Sequence, residues 1–135
     1  MASRLTLVIL AVSLVALGCG NPPPSAPARR VLLPESGGNT TMTAQVFGRL
    51  AGDATTGCVW FVGKDGAAYT ALWPRGYTAL FGPVRVLDNT GSVVGVEGQI
   101  LTMTGGILPA GNILCRVGPM AFIIGQVDGR LDAFP

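Results

Sequence analysis

The 135-residue sequence contains no histidine and a single lysine, Lys64. Without histidine the chain can assemble neither a serine–histidine nucleophile pair nor a closed zinc site of the usual four-ligand kind. Charged residues make up 12% of the chain, the formal net charge is +2, and the bases are scattered, whereas nucleic acid binding requires a basic patch. We therefore expect no metal, no cofactor and no nucleic acid partner.

Long apolar runs are also lacking, since the longest near the N-terminus covers residues 5–17. A membrane-spanning helix needs roughly 20 apolar residues, whereas the core of a secretory signal needs roughly 7 to 15. Arg4 precedes this run, and Gly18 and Cys19 follow it. This order of charge, apolar core, small residue and cysteine resembles the signal peptide of bacterial lipoproteins. The resemblance implies cleavage before Cys19 and a lipid on its thiol.

The resemblance also implies a location. A lipid on Cys19 anchors the protein to the extracytoplasmic face of the cell membrane, or to the outer membrane if the cell is Gram-negative. The alternative is an ordinary secreted protein that is cut after Ala16 or Gly18. Arg29 and Arg30 follow a proline-rich stretch and are placed to touch anionic headgroups as an accessory to the lipid.

The two remaining cysteines, Cys58 and Cys115, form an even pair. In an oxidising compartment such a pair is expected to be bridged. The two cysteines are 57 positions apart. Closing a loop of that length stabilises a fold by roughly 4 kcal/mol on the chain-entropy model. The alternative is two buried free thiols that act as small apolar side chains.

The chain changes composition twice and predicts three parts. Residues 1–18 are the signal peptide, and residues 19–42 are the lipidated cysteine with a tether rich in proline and glycine. Residues 43–135 form one small domain, which has room for a single core.

This domain is expected to be all-β, because no stretch has helical apolar spacing over three turns. Short runs rich in β-branched and aromatic residues predict strands, and Lys64-Asp65-Gly66 and Asp88-Asn89-Thr90-Gly91 supply hairpin turns. Glycines inside strands favour sharp coiling. The pattern resembles a small OB-like barrel, with a compact β-sandwich as the alternative. The strands are expected at residues 44–50, 58–62, 68–73, 84–87, 93–96, 99–103 and 121–127.

Residues 73–77 are the best candidate contact surface for a ligand. Trp73, Arg75 and Tyr77 lie around a bend imposed by Pro74 and Gly76. If exposed, the two rings and the guanidinium would form a stacking platform for a sugar or a peptide. The alternative is that Trp73 plugs the core with Tyr77 packed behind it.

Catalytic candidates are few. Lys64 adjoins a turn and is most simply a solvated charge. Asp88 and Glu97 flank one hairpin, and a facing carboxylate pair is what glycoside hydrolysis uses. Asp88, however, is placed to initiate a turn, and Glu97 lies on a strand with one wet face.

These features favour a non-enzymatic accessory or binding module of the cell envelope, with an envelope glycan or a protein as partner. The alternative is a small cell-envelope glycan hydrolase that uses the carboxylate pair. Residues 57–60, 72–77 and 88–98 are also similar to segments of small lipoproteins of high-GC Gram-positive bacteria, a resemblance that implies no particular activity.

Overall fold

The computed structural model describes residues 28–37 and 42–135, and every regular element in these ranges is a β-strand. The all-β class predicted from the sequence is therefore confirmed. In chain order the strands are β1 (Arg30–Leu32), β2 (Ala44–Asp53), β3 (Cys58–Val62), β4 (Ala68–Leu72), β5 (Thr78–Leu80), β6 (Arg85–Leu87), β7 (Val93–Val96), β8 (Ile100–Pro109) and β9 (Met120–Leu131).

Five of the strands close into a barrel in the order β2-β3-β4-β9-β8, and β8 pairs back with β2. Neighbours are antiparallel except β4 and β9, which run parallel. Closure satisfies the backbone groups that an open sheet leaves at its edges. The predicted small OB-like barrel is therefore the fold, in place of the alternative sandwich.

Glycine permits the close approaches that this small barrel needs. A Cβ on Gly105 would lie 1.9 Å from the carbonyl oxygen of Ile123, at a point where the register between β8 and β9 shifts. A Cβ on Gly48 would lie 2.7 Å from Cβ of Phe61 on β3, inside the barrel. In-strand glycines therefore mark a bulge at Gly105 and a tight contact at Gly48.

A second, four-stranded sheet has the order β1-β5-β6-β7 and packs on the barrel end at which β2 finishes. Val84 of the β5–β6 turn lies against Gly52 of β2, and Gly95 of β7 lies against Leu50 and Leu101. The two sheets share one apolar core, which buries residues from both. The largest fully buried side chains are those of Trp73, Phe61, Leu50, Ile100, Leu101, Met103 and Ile124.

The folded part of the chain begins before residue 43. Part of the predicted tether, residues 19–42, forms β1, which pairs with β5, and Leu33 beyond it is 2% exposed within the core. Glu35 forms an isolated bridge to Trp73. This segment is ordered because three apolar residues, Val31 to Leu33, provide burial that its prolines do not prevent. The predicted signal peptide, Cys19 and the first part of the tether lie outside the described residues.

Candidate functional site

The disulfide joins Cys58, at the start of β3, to Cys115, in the connection between β8 and β9. Their Cα atoms are 5.3 Å apart, and the predicted pairing is confirmed. The bond holds the connection, residues 110–119, against the outside of β3 and β4. The same contact is supported by the Val117 amide, which donates to the Thr70 hydroxyl at 3.0 Å, so that Thr70 is fully buried.

The interpretation of Trp73 as a ligand contact is wrong, because its side chain is 0% exposed. Its ring packs 5.3 Å from the ring of Phe61 and 6.1 Å from that of Tyr77. Its backbone amide donates to Pro34 at 2.8 Å, and its carbonyl accepts from Ser36 at 2.8 Å. The returning N-terminal segment therefore covers Trp73, and the core plug is the arrangement that forms.

The other two members of the predicted platform are separated from any stacking surface. The Arg75 side chain is 90% exposed and pairs with Glu35 at 3.5 Å. Tyr77 is partly buried behind Trp73, and this burial, with the nearby Asp88 carboxylate, raises the pKa of its hydroxyl. Residues 73–77 thus join the core to the surface and do not present three ligand-binding groups together.

The structure does not bring Asp88 and Glu97 together. Asp88 lies opposite Ser92, and Glu97 lies opposite Val84. Their backbones are therefore about 13 Å apart along β6 at about 3.3 Å per residue, so the two residues are not cross-strand neighbours. A Glu97 carboxylate oxygen accepts from the Val84 amide at 3.2 Å.

Asp88 serves the β6–β7 turn. Its Oδ1 accepts from the Thr90 hydroxyl at 2.6 Å and from the amides of Thr90 and Ser92. The hydroxyl bond, with those from the amides, lowers the pKa of Asp88. Both carboxylates of the candidate catalytic pair therefore accept hydrogen bonds from backbone amides.

One groove lies between the N-terminal segment and the disulfide, and it has a volume of about 470 Å³. We call it the leucine groove. Its two most exposed apolar side chains are Leu32, at 64%, and Leu114, at 81%. It is lined by Val31, Leu32, Leu33, Pro34, Glu35, Thr56, Gly57, Cys58, Leu114 and Cys115.

A second groove, of about 300 Å³, lies at the other end of β3 and is called here the tyrosine groove. The Tyr69 ring stacks on Phe122 at 4.4 Å, and its hydroxyl donates to Asp65 at 3.3 Å. Partial burial and the Asp65 carboxylate raise the pKa of Tyr69. The groove is lined by Gln45, Val46, Phe47, Gly63, Lys64, Asp65, Tyr69, Ile107 and Phe122.

Sequence reasoning missed both grooves. The sequence predicts that Asp65 is a turn residue, and its carboxylate does accept from the Ala67 amide at 3.0 Å. Asp65 also accepts from the Tyr69 hydroxyl in the groove. The sequence signal for this contact is the position of Tyr69, four residues later on the strand that leaves the turn. Leu114 carries no such signal, because the groove that it lines is assembled from segments that are distant in the sequence.

In residues 28–37 and 42–135 no helix is long and apolar enough to cross a membrane. Within the same ranges, no three side chains of the metal-binding types cluster closely enough to hold an ion.

Comparisons with protein families, with curated proteins and with solved structures find no match.

Proposed function

We propose that this protein is a membrane-anchored lipoprotein on the extracytoplasmic face of the cell membrane, where it acts as a non-enzymatic binding or accessory module. The Cys58–Cys115 disulfide carries the proposal, because such bonds persist in oxidising compartments. With these two cysteines bonded to each other, Cys19 is the thiol that takes the lipid at the end of the apolar leader.

The tyrosine groove is the surface that we assign to the ligand. Its volume is at the lower end of the range of about 300–1,000 Å³ for small-molecule sites. Phe47 and Tyr69 provide aromatic walls, and an amide, an ammonium and a carboxylate also line the groove, from Gln45, Lys64 and Asp65. Each of these polar groups already bonds within the protein, the amide to Thr102, the ammonium to Pro135 and the carboxylate to Ala67 and Tyr69, so a ligand would share or replace those bonds. Apolar walls with a few polar groups suit a sugar, whose C–H faces pack on rings while its hydroxyls are hydrogen-bonded. An envelope glycan is therefore the proposed ligand class.

The anchor is tested by replacing Cys19. In cells, Cys19→Ala protein is expected to move from the membrane to the soluble fraction, because each buried methylene of an acyl chain contributes about 0.8 kcal/mol and stable attachment needs more than one chain. Metabolic labelling with a fatty-acid analogue and fractionation measure this. Ser25→Ala protein, changed a few residues further along, is the control and should stay labelled and membrane-bound. Label on Cys19→Ala protein, or its retention after high-salt washing, would contradict the lipoprotein assignment.

The ligand assignment is tested on the soluble Cys19→Ala protein with lysozyme-released peptidoglycan fragments. We expect binding by calorimetry, and we expect Gln45→Ala together with Asp65→Asn to weaken it roughly tenfold, since each lost hydrogen bond contributes about 0.5–1.5 kcal/mol and more if charged. Arg75→Ala, at an exposed position elsewhere, is the matched control and should bind normally.

Two results would count against this assignment. Absence of binding by the unchanged groove would exclude this glycan class as the ligand. Cleavage of the fragments during the titration would contradict the non-enzymatic part of the proposal.

A further inference from the structure

The two most exposed large apolar side chains of the described ranges line the same groove. Leu32 comes from β1 and Leu114 from the disulfide-held connection, so the pairing depends on the fold and not on sequence proximity. Exposed apolar residues that occur singly need no explanation, but adjacent ones indicate a contact surface. Their position in one groove marks the leucine groove as a candidate contact surface.

Two arginines, Arg29 and Arg30, lie beside this groove. Arg30 and Leu32 project from the same side of β1, since side chains two apart along a strand share a face. An Arg29 guanidinium nitrogen lies 3.9 Å from the position of a Cβ on Gly57, which lines the groove. No described carboxylate lies within ion-pair distance of either arginine. The charge of both is thus available to an external anion.

The acidic groups near the groove are already engaged. Glu35 pairs with Arg75. The Asp53 carboxylate is directed into the β2–β3 turn, where it accepts from the Thr55 amide at 2.8 Å and from the Thr56 hydroxyl at 3.1 Å. The groove thus presents leucine side chains with two available arginines beside them, which is the composition that binds anionic lipid surfaces.

The length of the chain places this groove near a membrane. Arg29 follows Cys19 by ten positions, and a chain of that length reaches at most about 35 Å. Because β1 begins at Arg30, the β1 end of the domain is the end that a lipid on Cys19 holds close to the bilayer.

We propose that the leucine groove docks on anionic phospholipid headgroups, with Leu32 and Leu114 inserted at the acyl boundary and Arg29 and Arg30 against the phosphates. The inference rests on the proposed lipid anchor. The leucine groove includes Cys58 at the start of β3, and the tyrosine groove includes Gly63 just after its end. Docking would therefore turn the tyrosine groove away from the membrane and toward the envelope.

The test uses full-length lipidated protein in vesicles of phosphatidylethanolamine and phosphatidylglycerol, with or without bromine on the acyl chains. Bromine quenches tryptophan fluorescence only on close approach. If the side chain at position 114 is inserted by about 5–10 Å, bromine should quench at least about half of the emission of the added tryptophan in Leu114→Trp protein. Leu108→Trp, at an exposed leucine near the tyrosine groove, is the matched control and should be quenched little. Emission of the unaltered protein, which contains Trp60 and Trp73, is subtracted from both.

Each outcome decides a separate point. Equal quenching of the two variants, in protein that stays with the vesicles, would overturn the docking and leave the anchor standing. Protein that does not stay with the vesicles would overturn the anchor and the docking with it. Blue-shifted emission of Leu114→Trp before vesicles are added would show that residues 20–27 or a second copy already cover the groove. Undiminished quenching in phosphatidylcholine alone would overturn the role of the arginines.

Discussion

Replacing Trp73 by alanine is expected to lower the free energy of unfolding by about 3–5 kcal/mol, the usual cost of removing a large aromatic side chain from a core. The residue is fully buried and touches the rings of Phe61 and Tyr77. It also lies where the barrel, the second sheet and the N-terminal segment meet, so no single element can move in to fill the cavity. Urea titration followed by circular dichroism measures the loss.

Trp73→Phe is the informative control. The indole Nε1 has no hydrogen-bond partner among the described residues, and a buried unsatisfied donor costs about 1–3 kcal/mol. Phenylalanine keeps an aromatic ring in the core and removes this donor. The Trp73→Phe protein should therefore lose much less stability than the Trp73→Ala protein. A Trp73→Ala protein with an unchanged urea midpoint would show that the side chain is not a core residue, and would restore it as a contact surface.

Loss of the disulfide should also be severe. Cys58→Ala is expected to lower the free energy of unfolding by about 2–5 kcal/mol, because the unfolded chain regains the freedom that the cross-link removes. The bond closes a sequence separation of 57 residues. It also holds residues 110–119 on the outside of β3 and β4, so hydrogen exchange in this connection should accelerate more than in β2.

The double variant Cys58→Ala, Cys115→Ala separates the cross-link from the loss of one partner. Its stability should resemble that of the single variant, since either change removes the same bond. The double variant also leaves no unpaired thiol at position 115. Thermal unfolding with and without reductant gives an independent measure on the unaltered protein. Free thiol at both positions in exported protein would contradict the disulfide. It would also remove the observation on which the proposed extracytoplasmic location rests.

Much of the barrel was predictable because its hairpins have local causes. The bounds of β3 and β7 match those predicted, and each borders a turn whose aspartate accepts backbone amides, Asp65 in one and Asp88 in the other. Alternation and turn chemistry act over a few residues, so they are visible in the sequence. The cysteine pairing was predictable because only two cysteines remain after Cys19.

The elements that escaped prediction depend on distant partners. β1 has three residues and exists because it pairs with β5 across more than forty positions of sequence, which also adds a distant partner to the short β5–β6 hairpin. β8 extends to Pro109, beyond the predicted end at residue 103, because Gly105 and Gly106 continue its pairing with β9 through a bulge. Trp73 was ambiguous for the same reason, since the segment that covers it comes from the predicted tether.

The position of β1 also determines how the domain bears mechanical load. β1 is an edge strand, held to its sheet by the pairing with β5 alone. Tension applied through the N-terminal segment therefore acts first on three residue pairs and then on the bridge between Glu35 and Trp73. The barrel beyond is closed on itself and cross-linked, so it yields later. A pull from the N-terminal side would strip β1 and uncover Trp73 while the remaining strands kept their registers.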